Sequence, residues 1–481
     1  MKISDLVKNM EEVEVIGNDI DIKKLCYSTS DIDENSLFFC IVGLNVDGHT
    51  FIKKAIENGA KAIVVSKDLE PLNDVTVIKV KDTREAMSLI SSNFYGNPSK
   101  EIDVIGITGT NGKTTSTFMM KSILEVANKK TSLLGTIYNI IGSKKEEAKR
   151  TTPESKDLQG LFRDMINFGD DSCIMEVSSH SLDLKRVYGV DFKVGIFTNL
   201  TQDHLDFHSD MGSYFNAKMK LFDNSEYAVI NIDDEYGRKA VNKIKGKVLT
   251  YGLTNEANLF ASDILISSEG AKFKLNYKGE SEEILLHLPG KFNIYNALGC
   301  IGAALILNIT LEDIKKGLES LSSVPGRSEK ITSSKGFTVI IDYAHTPDGL
   351  TNILSTTKEY TDGNLIALFG CGGDRDRTKR PLMGKAAGEI ADFCVVTSDN
   401  PRGEEPSDII QDIIPGVKAT GCNYTVIENR KDAIKYAIDN AKKGDVIVIA
   451  GKGHETYQIL KNETIHFDEK EIVLDFLKEE L

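Results

Sequence analysis

The chain has 481 residues, of which 41% are hydrophobic and 27% charged, and its formal net charge is −14 at pH 7. This length accommodates about three domains, each large enough for its own core. The net negative charge argues against nucleic acid as the main partner, because a phosphate backbone is bound by a basic surface. No apolar run is long enough to span a bilayer and no signal-peptide pattern is present, so we expect a cytoplasmic protein without stable membrane insertion. Nothing in the sequence demands a second chain, and we expect a monomer.

The cysteines are scattered along the chain without a Cys-x-x-Cys pair, at positions 26, 40, 173, 300, 371, 394 and 422. Most of them lie in apolar runs that resemble strands. We therefore expect buried free thiols rather than disulfides or zinc ligands.

The first part of the chain alternates short apolar runs with helical patterns. These patterns predict strands at 36–43 and 60–66, helices at 49–58 and 83–95, and a linker at 96–100. We predict an N-terminal domain of residues 1–99.

A glycine-rich turn follows the next predicted strand, residues 103–107, and leads into a helical pattern. The turn reads TGTNGKTT, residues 108–115. Backbone N–H groups at such a junction point at one spot, and with the helix dipole they bind phosphate. Lys113 would reach the terminal phosphates, and the Thr114 hydroxyl would face Mg²⁺. The sequence therefore predicts binding of ATP or GTP.

The glycine spacing of this turn departs from the usual P-loop. Gly106 precedes Gly112 by six positions, and Ile107 stands where the usual pattern has glycine. The alternative is a chance Gly-Lys-Thr in a surface loop, but the strand before the turn and the helix after it favour nucleotide binding.

The alternation of predicted strands and helices continues to the end of the chain. Further strands are predicted at 173–178, 193–200, 227–233, 337–343, 365–370, 393–398 and 446–451, antiparallel strands within 259–289, and a helix at 292–308. A Pro-Gly-Arg at 325–327 marks the second boundary, so we predict a central domain of 100–325 and a C-terminal domain of 326–481. The predicted fold class is α/β with three domains.

Polar residues follow several of the predicted strands, where open parallel sheets bind ligands. At the end of the strand at 173–178, Glu176 could hold Mg²⁺ while Ser178 binds substrate oxygens. The alternative is a strand end followed by a serine that caps a helix.

Two histidines four residues apart, His204 and His208, lie near Asp203 and Asp206. On one face of a helix they could bind a transition metal, although the oxygen-rich surroundings fit Mg²⁺ better. Solvated polar residues after a strand are the alternative. Lys218, on the next predicted helix, is by its spacing no more than an exposed lysine.

The C-terminal part has three strand ends with arginines or acidic residues, at 342–347, 370–377 and 398–402. Arginines in glycine-rich turns suit recognition of carboxylate or phosphate, so a site for an anionic group is favoured over turns with salt bridges. Residues 451–455 read Gly-Lys-Gly-His-Glu, but Gln458 stands where a zinc-protease helix needs histidine, so that motif is rejected.

Together these segments resemble the Mur ligase family of bacterial cell-wall synthesis, over essentially the whole chain. The motifs stand in the family's order: TGTNGKTT, MEVSSH, NLTQDHLDFH, the 217–222 segment, PGR, DYAHTPD, GCGGDRDR, SDNPR and GKGHE. The resemblance implies an N-terminal domain that binds UDP-muramoyl substrate, a central P-loop ATPase domain with a mostly parallel sheet, and a C-terminal Rossmann-like domain that binds the amino acid. The 399–402 segment resembles members that add meso-diaminopimelate, because lysine-adding relatives typically lack arginine at position 402.

The resemblance also assigns roles to individual residues. It implies catalytic roles for Lys113, Glu176, His204 and Lys218, and metal binding by Thr114, Glu176, His204 and Lys218, with Lys218 carbamylated by CO₂. The ATP contacts it implies are Gly109, Thr110, Asn111, Gly112, Lys113, Thr114, Thr115, Asn293, Arg327 and Asp342. The UDP-muramoyl-dipeptide contacts are Thr29, Ser30, Thr151, Thr152, Ser178 and Arg186. The diaminopimelate contacts are Arg375, Asp399, Asn400, Pro401, Arg402, Gly451 and Glu455.

Three positions depart from the family pattern. The uridine-site motif is usually Asp-Ser-Arg, and here it is Ser28-Thr29-Ser30, which keeps a hydroxyl and lacks the arginine. Leu184 stands where relatives often have glutamine, and Arg150 where some have asparagine. These changes affect individual substrate contacts rather than the reaction.

The resemblance implies an ATP-dependent amide ligase with Mg²⁺ as cofactor. Its substrates would be UDP-MurNAc-L-Ala-D-Glu and meso-diaminopimelate, joined through an acyl phosphate on the D-glutamate γ-carboxylate. The alternatives are the same reaction with L-lysine, a ligase like folylpolyglutamate synthetase, and a P-loop switch or transport ATPase with no ligated product. Arg402 and the separate α/β pattern at 28–99 weigh against the folylpolyglutamate alternative.

Overall fold

The computed structural model describes residues 1–43, 46–70 and 72–479, so the last two residues of the predicted C-terminal domain lie outside it. The described chain forms two compact units. The first comprises Met1–Thr108, Lys129–Gly195 and Ala217–Ala228, and the second comprises Gly109–Asn128, Ile196–Asn216 and Val229–Leu481. Both units take residues from the predicted central domain, and the three domain boundaries stay a prediction.

The N-terminal elements are α1 (Ile3–Leu6), β1 (Glu14–Ile16), β2 (Lys24–Cys26), β3 (Ser36–Phe39), α2 (Ile52–Glu57), β4 (Ala60–Val65), β5 (Thr76–Lys79) and α3 (Thr83–Phe94). Their sheet has the order β1-β5-β4-β3-β2, in which only β1 is antiparallel to its neighbour. The Asp82 side chain accepts hydrogen bonds from two amides at the start of α3 and so fixes where this helix begins. The four predicted elements of this part are confirmed, with ends shifted by a few residues and a 3₁₀ turn, Gly48–Phe51, before α2.

The next elements are β6 (Asp103–Thr108), α4 (Lys113–Val126), β7 (Thr131–Leu134), β8 (Tyr138–Ile141), β9 (Lys144–Glu147), α5 (Ser155–Phe168), β10 (Ser172–Glu176), α6 (Ser179–Asp183), β11 (Phe192–Phe197), α7 (Met211–Asp223) and β12 (Ser225–Asn231). Strand β10 pairs in parallel with β6 and β7, and its register sets Glu176 opposite Ile107. The carboxyl end of β10 therefore lies beside the strand that leads into the glycine-rich turn, as expected for a ligand site.

Five strands and three helices follow: α8 (Glu235–Val241), β13 (Lys247–Gly252), β14 (Leu259–Ser267), β15 (Gly270–Tyr277), β16 (Glu280–Leu286), α9 (Lys291–Ile306), α10 (Leu311–Ser320) and β17 (Glu329–Thr332). Strands β14, β15 and β16 are antiparallel, which confirms the prediction from their alternating pattern. Helix α9 confirms the predicted helix at 292–308, and most of its residues are buried.

The C-terminal elements are β18 (Thr338–Asp342), α11 (Pro347–Lys358), β19 (Leu365–Phe369), α12 (Lys379–Ile390), β20 (Phe393–Val396), α13 (Pro406–Thr420), β21 (Asn423–Val426), α14 (Arg430–Asn440), β22 (Val446–Ala450), β23 (Tyr457–Ile459), β24 (Thr464–His466) and α15 (Glu469–Glu479). The main sheet has the order β17-β18-β22-β19-β20-β21, and all its pairs except β17–β18 are parallel. Apolar residues of its two faces form separate cores beneath the flanking helices. These mostly parallel sheets confirm the predicted α/β class.

The cysteines are free thiols, and all except the half-buried Cys422 are buried. Among the helices that the structure describes, none combines the length and the hydropathy that a membrane crossing requires.

Candidate active site

The P-loop lies in the second unit, in a loop that ends where α4 begins at Lys113. Lys113 Nζ donates to the carbonyl oxygens of Gly109 and Thr110, at 2.9 and 2.7 Å. Gly112 has φ +87°, and a Cβ atom there would lie 2.2 Å from Oδ1 of Asn296. Only glycine fits this position, which explains the Gly-Lys-Thr sequence better than a chance occurrence does.

Two asparagines of α9 lie next to this loop. Asn296 is the residue that Gly112 approaches, and its Nδ2 donates to Oδ1 of Asn293 at 3.2 Å. Asn293, a predicted nucleotide contact, donates from Nδ2 to the carbonyl oxygen of Pro289. The sequence analysis missed Asn296, although asparagines three residues apart share one face of a helix and the spacing could have indicated it.

Arg327, which precedes β17, also reaches the P-loop and lies near the end of β18. Arg327 Nη2 donates to Oγ1 of Thr114 at 3.0 Å, and the Arg327 guanidinium lies 4.5 Å from the centre of the Tyr343 ring. Asp342 accepts from the backbone N–H groups of Ser328 and Ala344, at 2.7 and 2.8 Å. Burial raises the pKa of Asp342, although the positive charge of Arg327 acts against this rise. The structure thus brings three predicted nucleotide contacts, Thr114, Arg327 and Asp342, into one region.

Asn111 connects the P-loop to α11. Its Nδ2 donates to Oδ2 of Asp348 at 2.9 Å, and its backbone N–H donates to Oδ1 of Asn199 at the same distance. Thr110 Oγ1 donates to the carbonyl oxygen of Thr201. Thr115, in the first turn of α4, is buried. The loop conformation is therefore held from several sides.

The segment with the two histidines is a turn and not a helix. His204 has φ +55°, so the prediction of a helical face shared with His208 is wrong. His208 is buried and stacks on Tyr214, with ring centres 5.0 Å apart. His204 keeps its side chain 38% exposed.

Asp203 is a buried carboxylate with two histidines and a lysine close to it. The Nε2 atoms of His204 and His345 lie 3.4 and 3.8 Å from its Oδ2, and Lys379 Nζ lies 3.6 Å from its Oδ1. Burial by itself would raise the pKa of Asp203, but the hydrogen bond from His345 and the proximity of His204, His345 and Lys379 hold it well below its usual value. The Asp203 carboxylate is therefore charged and fixes this turn against β18 and α12.

The first unit holds the predicted contacts of the muramoyl-peptide substrate together with Glu176. The Glu176 carboxylate accepts from the backbone N–H and the hydroxyl of Thr136, at 2.8 and 3.0 Å. Thr136 also shares a hydrogen bond with the Thr151 hydroxyl at 3.1 Å. The Thr152 hydroxyl donates to the carbonyl oxygen of Glu176 and accepts from the N–H of Ser178.

Arg186 and Ser178 complete this group. Arg186 Nη1 donates to the carbonyl oxygen of Thr152 at 3.2 Å. Ser178 caps α6 by accepting from Ser181 N, so the helix-cap alternative is correct as a structural role. Hydrogen bonds therefore connect Glu176 to Thr151 through Thr136, and to Ser178 and Arg186 through Thr152. The sequence analysis missed Thr136.

Lys218 lies on α7 and is 1% exposed, so the interpretation as an exposed surface lysine is wrong. It belongs to the buried face of the helix, with Tyr214, Ala217, Leu221 and Phe222. The buried residues recur every three or four positions, as on one face of a helix. Lys218 is buried because it lies on that face, and not because of its residue type.

The C-terminal contacts lie at the carboxyl ends of β19, β20 and β22. Lys452 is fully buried, and its Nζ donates to Oδ1 of Asn400 and to Oε2 of Glu455, at 3.1 and 3.0 Å. Asn400 Nδ2 donates to the same carboxylate oxygen at 2.9 Å, and Ile459 N donates to Asn400 Oδ1. A Cβ atom on Gly451 would lie 2.6 Å from Oδ2 of Asp399, so that glycine is required here. The sequence analysis missed Lys452, which lies inside the quoted Gly-Lys-Gly-His-Glu motif.

Arg402 and Arg375 both approach Gly372. Arg402 has φ +51°, and its Nη1 donates to the carbonyl oxygen of Gly373 at 3.0 Å, while Arg375 donates to the carbonyl oxygen of Asp374. Pro401 lies against Gly373, whose N–H donates to Asn400 O. Within the described ranges, neither guanidinium forms an ion pair with a carboxylate. Other arginines of this region do, since Arg380 pairs with Glu404 and Asp412.

Thr29 and Ser30 lie in a 3₁₀ turn of the first unit, Thr29–Asp31, where the Ser28 and Ser30 hydroxyls share a hydrogen bond. Thr29 lines a cavity of about 420 Å³ whose wall is partly apolar and partly basic. This volume is typical of a small-molecule site.

The donors expected for a metal are oxygen atoms of Thr114 and Glu176, a nitrogen of His204, and Lys218. Across the residues that the structure describes, no three His, Cys, Asp or Glu side chains form a metal-binding group. Mg²⁺ that is carried by a nucleotide keeps phosphate and water ligands and needs only one or two ligands from the protein. A closed zinc site, by contrast, needs a full set of protein ligands.

Comparison with known proteins gives the same assignment along the whole chain. Family models described as Mur ligase family, catalytic domain, Mur ligase middle domain, and Mur ligase, glutamate ligase domain match residues 21–95, 107–304 and 326–453. The UDP-N-acetylmuramoyl-L-alanyl-D-glutamate--2,6-diaminopimelate ligase of Clostridium botulinum (strain ATCC 19397 / Type A) is 55% identical, over 100% of both chains. A ligase of the same name from Clostridium acetobutylicum, numbered 1, is 53% identical over 100% of both chains. A solved structure titled with that name has a TM-score of 0.70 and 29% identity, and covers 100% of this chain and 99% of its own. With three matching domains in order and relatives more than half identical over their full length, the chain belongs to the Mur ligase family, as its motifs predicted.

Proposed function

We propose that this chain is an ATP-dependent ligase that joins meso-diaminopimelate to the D-glutamate γ-carboxylate of UDP-MurNAc-L-Ala-D-Glu. The observation that carries the proposal is the full-length identity to ligases named for this reaction. It is combined with two arginines, Arg402 after β20 and Arg375 after β19, that form no ion pair with a carboxylate among the described residues. A free carboxylate is a poor acyl donor, so the reaction needs activation by phosphorylation before the amine can attack.

The P-loop binds the triphosphate in this proposal. The backbone N–H groups at the start of α4 and Lys113 face the phosphates, as in other strand–turn–helix sites. Arg327 and Asp342 complete the nucleotide site, with Asn293 from α9. Mg²⁺, held by Thr114, Glu176 and His204, supplies charge neutralisation for the phosphates when bound.

The reaction then has two transfers. The γ-carboxylate oxygen takes the γ-phosphoryl group and ADP leaves, which gives an acyl phosphate. The diaminopimelate amine attacks the acyl carbon, loses a proton, and expels inorganic phosphate as the amide forms. Lys113 contributes by stabilising negative charge on the transferring phosphoryl group. Thr151, Thr152, Ser178 and Arg186 orient the carboxylate that reacts, which lowers the entropy cost of the encounter.

The amino-acid pocket recognises a zwitterionic head group. Arg402 and Arg375 face its carboxylate, and Glu455 faces its ammonium, while Asp399, Asn400, Pro401 and Gly451 form the wall. L-Lysine lacks the carboxylate on the distal carbon and would leave Arg402 without an anionic partner, so diaminopimelate is selected. Lys452 is a positioning residue here, because it fixes Asn400 and Glu455 without reaching the pocket surface.

Lys218 carries a carbamate in this proposal. A carbamate on Lys218, whose side chain is 1% exposed, would supply an anionic oxygen to the metal site, which an ammonium cannot do. We expect Lys218→Ala to lose nearly all ligase activity and to recover part of it with added acetate or another short carboxylate. Lys220→Ala, an exposed lysine of the same helix, serves as the control. A free amine in the mass spectrum of active enzyme, or no recovery with any short carboxylate, would contradict the carbamate.

A direct assay tests the reaction. Purified enzyme is supplied with ATP and Mg²⁺, with and without UDP-MurNAc-L-Ala-D-Glu, and with meso-diaminopimelate or L-lysine. We expect ADP release to require both organic substrates and the tripeptide product to form with diaminopimelate. ADP release that is indifferent to both would indicate a P-loop ATPase without a ligated product, and equal use of lysine would overturn the amino-acid assignment.

The cellular context and the assembly state complete the proposal. We place the enzyme in the cytoplasm, where ATP is available, as a monomer with three domains at 1–99, 100–325 and 326–481. Its partners are the two small-molecule substrates, and nucleic acid is not among them.

A further inference from the structure

A buried ion pair lies behind the two arginines of the amino-acid pocket. Arg380, near the start of α12, is fully buried, and Glu404, in the loop before α13, is 21% exposed. Arg380 Nη2 donates to Oε1 of Glu404 at 2.7 Å, and Arg380 Nη1 donates to Oε2 at 2.9 Å. These hydrogen bonds, together with one from the N–H of Asp374, lower the pKa of Glu404 to about 2, although burial acts against them. The Glu404 carboxylate is therefore charged at neutral pH.

The same two side chains hold the loop that follows β19. Arg380 Nη2 also donates to the carbonyl oxygen of Gly372 at 3.3 Å, and Glu404 Oε1 also accepts from the N–H of Asp374 at 2.6 Å. Asp374 in turn accepts from the N–H of Gly403 through its Oδ2 atom, at 3.0 Å. Hydrogen bonds therefore join the loop after β19 to the loop after β20, and Glu404 lies where the two loops meet.

Both pocket arginines depend on this junction. Arg402 Nη1 donates to the carbonyl oxygen of Gly373 at 3.0 Å, and Arg375 Nη1 donates to that of Asp374 at 2.9 Å. Asp374 and Arg402 have φ +53° and +51°. This left-handed backbone is unfavourable for residues with a Cβ atom and persists where neighbouring contacts hold it. Without the contacts of Glu404 both loops could relax, and the two guanidinium groups would lose their fixed positions.

We infer that Glu404 and Arg380 are positioning residues for Arg402 and Arg375, and that the choice of amino acid depends on them. The inference rests on the proposed function, in which Arg402 faces the carboxylate that L-lysine lacks. A bidentate contact to a carboxylate needs a guanidinium at a fixed distance and angle. Movement of the two loops should therefore impair the reaction with diaminopimelate more than the reaction with lysine.

Glu404→Gln tests this inference in the full-length enzyme, because it keeps the shape of the side chain and removes its charge. The ratio of kcat/KM for meso-diaminopimelate to that for L-lysine should fall about tenfold, while the KM for ATP should stay within about twofold of the wild-type value. If lysine gives no measurable turnover, the KM for diaminopimelate takes the place of the ratio and should rise about tenfold.

Glu405→Gln is the matched control. Glu405 is the next residue along the chain, is 60% exposed, and pairs with Lys461 on the surface. Because an exposed ion pair contributes little, this variant should leave the ratio and the KM for ATP within about twofold of the wild type.

A double variant determines whether Glu404 acts through Arg402. Added to Arg402→Gln, the Glu404→Gln change should lower the ratio by no more than about threefold, because the guanidinium that Glu404 positions is already absent. Two independent effects would instead multiply. If Glu404→Gln fails to fold, Glu404→Asp takes its place: it keeps the charge but shortens the side chain, and should lower the ratio about threefold or more.

Three results overturn the inference. In the first, the Glu404 variant keeps a ratio within about twofold of the wild type, so the ion pair serves only the fold. In the second, kcat/KM falls equally for diaminopimelate, lysine and ATP. In the third, the losses of the two single variants multiply in the double variant. Any of these leaves the proposed function intact if the wild type forms product from diaminopimelate, whereas a wild type that forms no product or uses lysine equally well fails the proposed function itself.

Discussion

The P-loop and the amino-acid pocket lie in the same compact unit and hold their polar groups in different ways. The P-loop is shaped by backbone: Gly112 allows a close approach to Asn296, and Lys113 bonds to loop carbonyls. The amino-acid pocket is shaped by a side-chain network around the buried Lys452. A site made from backbone needs particular glycines at fixed spacing, whereas a site made from side chains can be assembled from distant segments. The first kind is therefore easier to predict from a sequence.

The largest effect should come from adding one carbon to the P-loop. Gly112→Ala places a Cβ atom 2.2 Å from Asn296 Oδ1 at φ +87°, so the loop must shift. Its backbone N–H groups then no longer point at the phosphates. We expect ATP affinity to fall about a hundredfold or more, as two lost charge-assisted hydrogen bonds would predict. Titration with an ATP analogue measures this.

Gly279→Ala is the control that isolates the close approach from the backbone angle. Gly279 has φ +85°, but a Cβ atom there has nothing within 4 Å. This variant should lose about 1–2 kcal/mol of stability and keep its ATP affinity. If both variants bind ATP equally well, the proposed dependence of the P-loop on Gly112 is wrong.

The next effect concerns the side-chain network. Lys452→Met removes the donor that orients Asn400 and Glu455, so we expect the KM for diaminopimelate to rise about tenfold or more while the KM for ATP stays unchanged. Lys461→Met, at an exposed lysine paired with Glu405, should change neither value. An equal rise of both KM values would show that Lys452 supports the unit as a whole rather than the pocket.

A smaller effect on rate, and a clearer one on choice of substrate, is expected at Arg402. Arg402→Gln keeps a hydrogen-bond donor and removes the charge, so the preference for diaminopimelate over lysine should fall about tenfold or more. The ratio of kcat/KM values for the two amino acids measures it. Arg377→Gln, at an exposed arginine that pairs with Asp412, is the control and should leave the ratio unchanged. An unchanged ratio in Arg402→Gln would mean that the arginine only supports its own turn.

The smallest effect is on stability and depends on pH. His454 packs on Tyr343, whose ring also contacts Arg327, and so lies between the two regions. Burial, together with the charges of Arg327, His345 and Lys452, lowers the pKa of His454 to about 3. An unfolded histidine has a pKa of about 6.5. At pH values between these two pKa values, only the unfolded chain binds a proton at this histidine. The free energy of unfolding is therefore highest above about pH 6.5 and decreases as the pH falls.

Denaturant unfolding at pH 7 and pH 5 measures this dependence. Between pH 7 and pH 5, the free energy of unfolding of the wild type should fall by about 2 kcal/mol more than that of His454→Gln. The reason is that one bound proton changes the free energy of unfolding by at most about 1.4 kcal/mol per pH unit. Identical losses in the two proteins would show that the histidine is protonated in the folded state.

The sequence by itself determined the α/β class, the strands that lead into the candidate sites, and the family. Buried strands such as β6, β10 and β22 are short apolar runs with polar residues directly after them, and this local pattern can be seen without a structure. It does not show short strands with exposed residues, such as β1 and β9, because these are formed by pairing and not by their own hydrophobicity.

Only the tertiary structure decided which side chains are buried and which meet. Lys218 has the sequence context of a surface lysine, and it is buried because α7 presents that face to a core. The turn at His204 prevents the two histidines from sharing a helix face. Arg84, Arg150 and Arg186 all pair with Glu154, although they come from segments more than 30 residues apart. Contacts of this kind depend on how distant segments pack, and no local spacing in the chain encodes them.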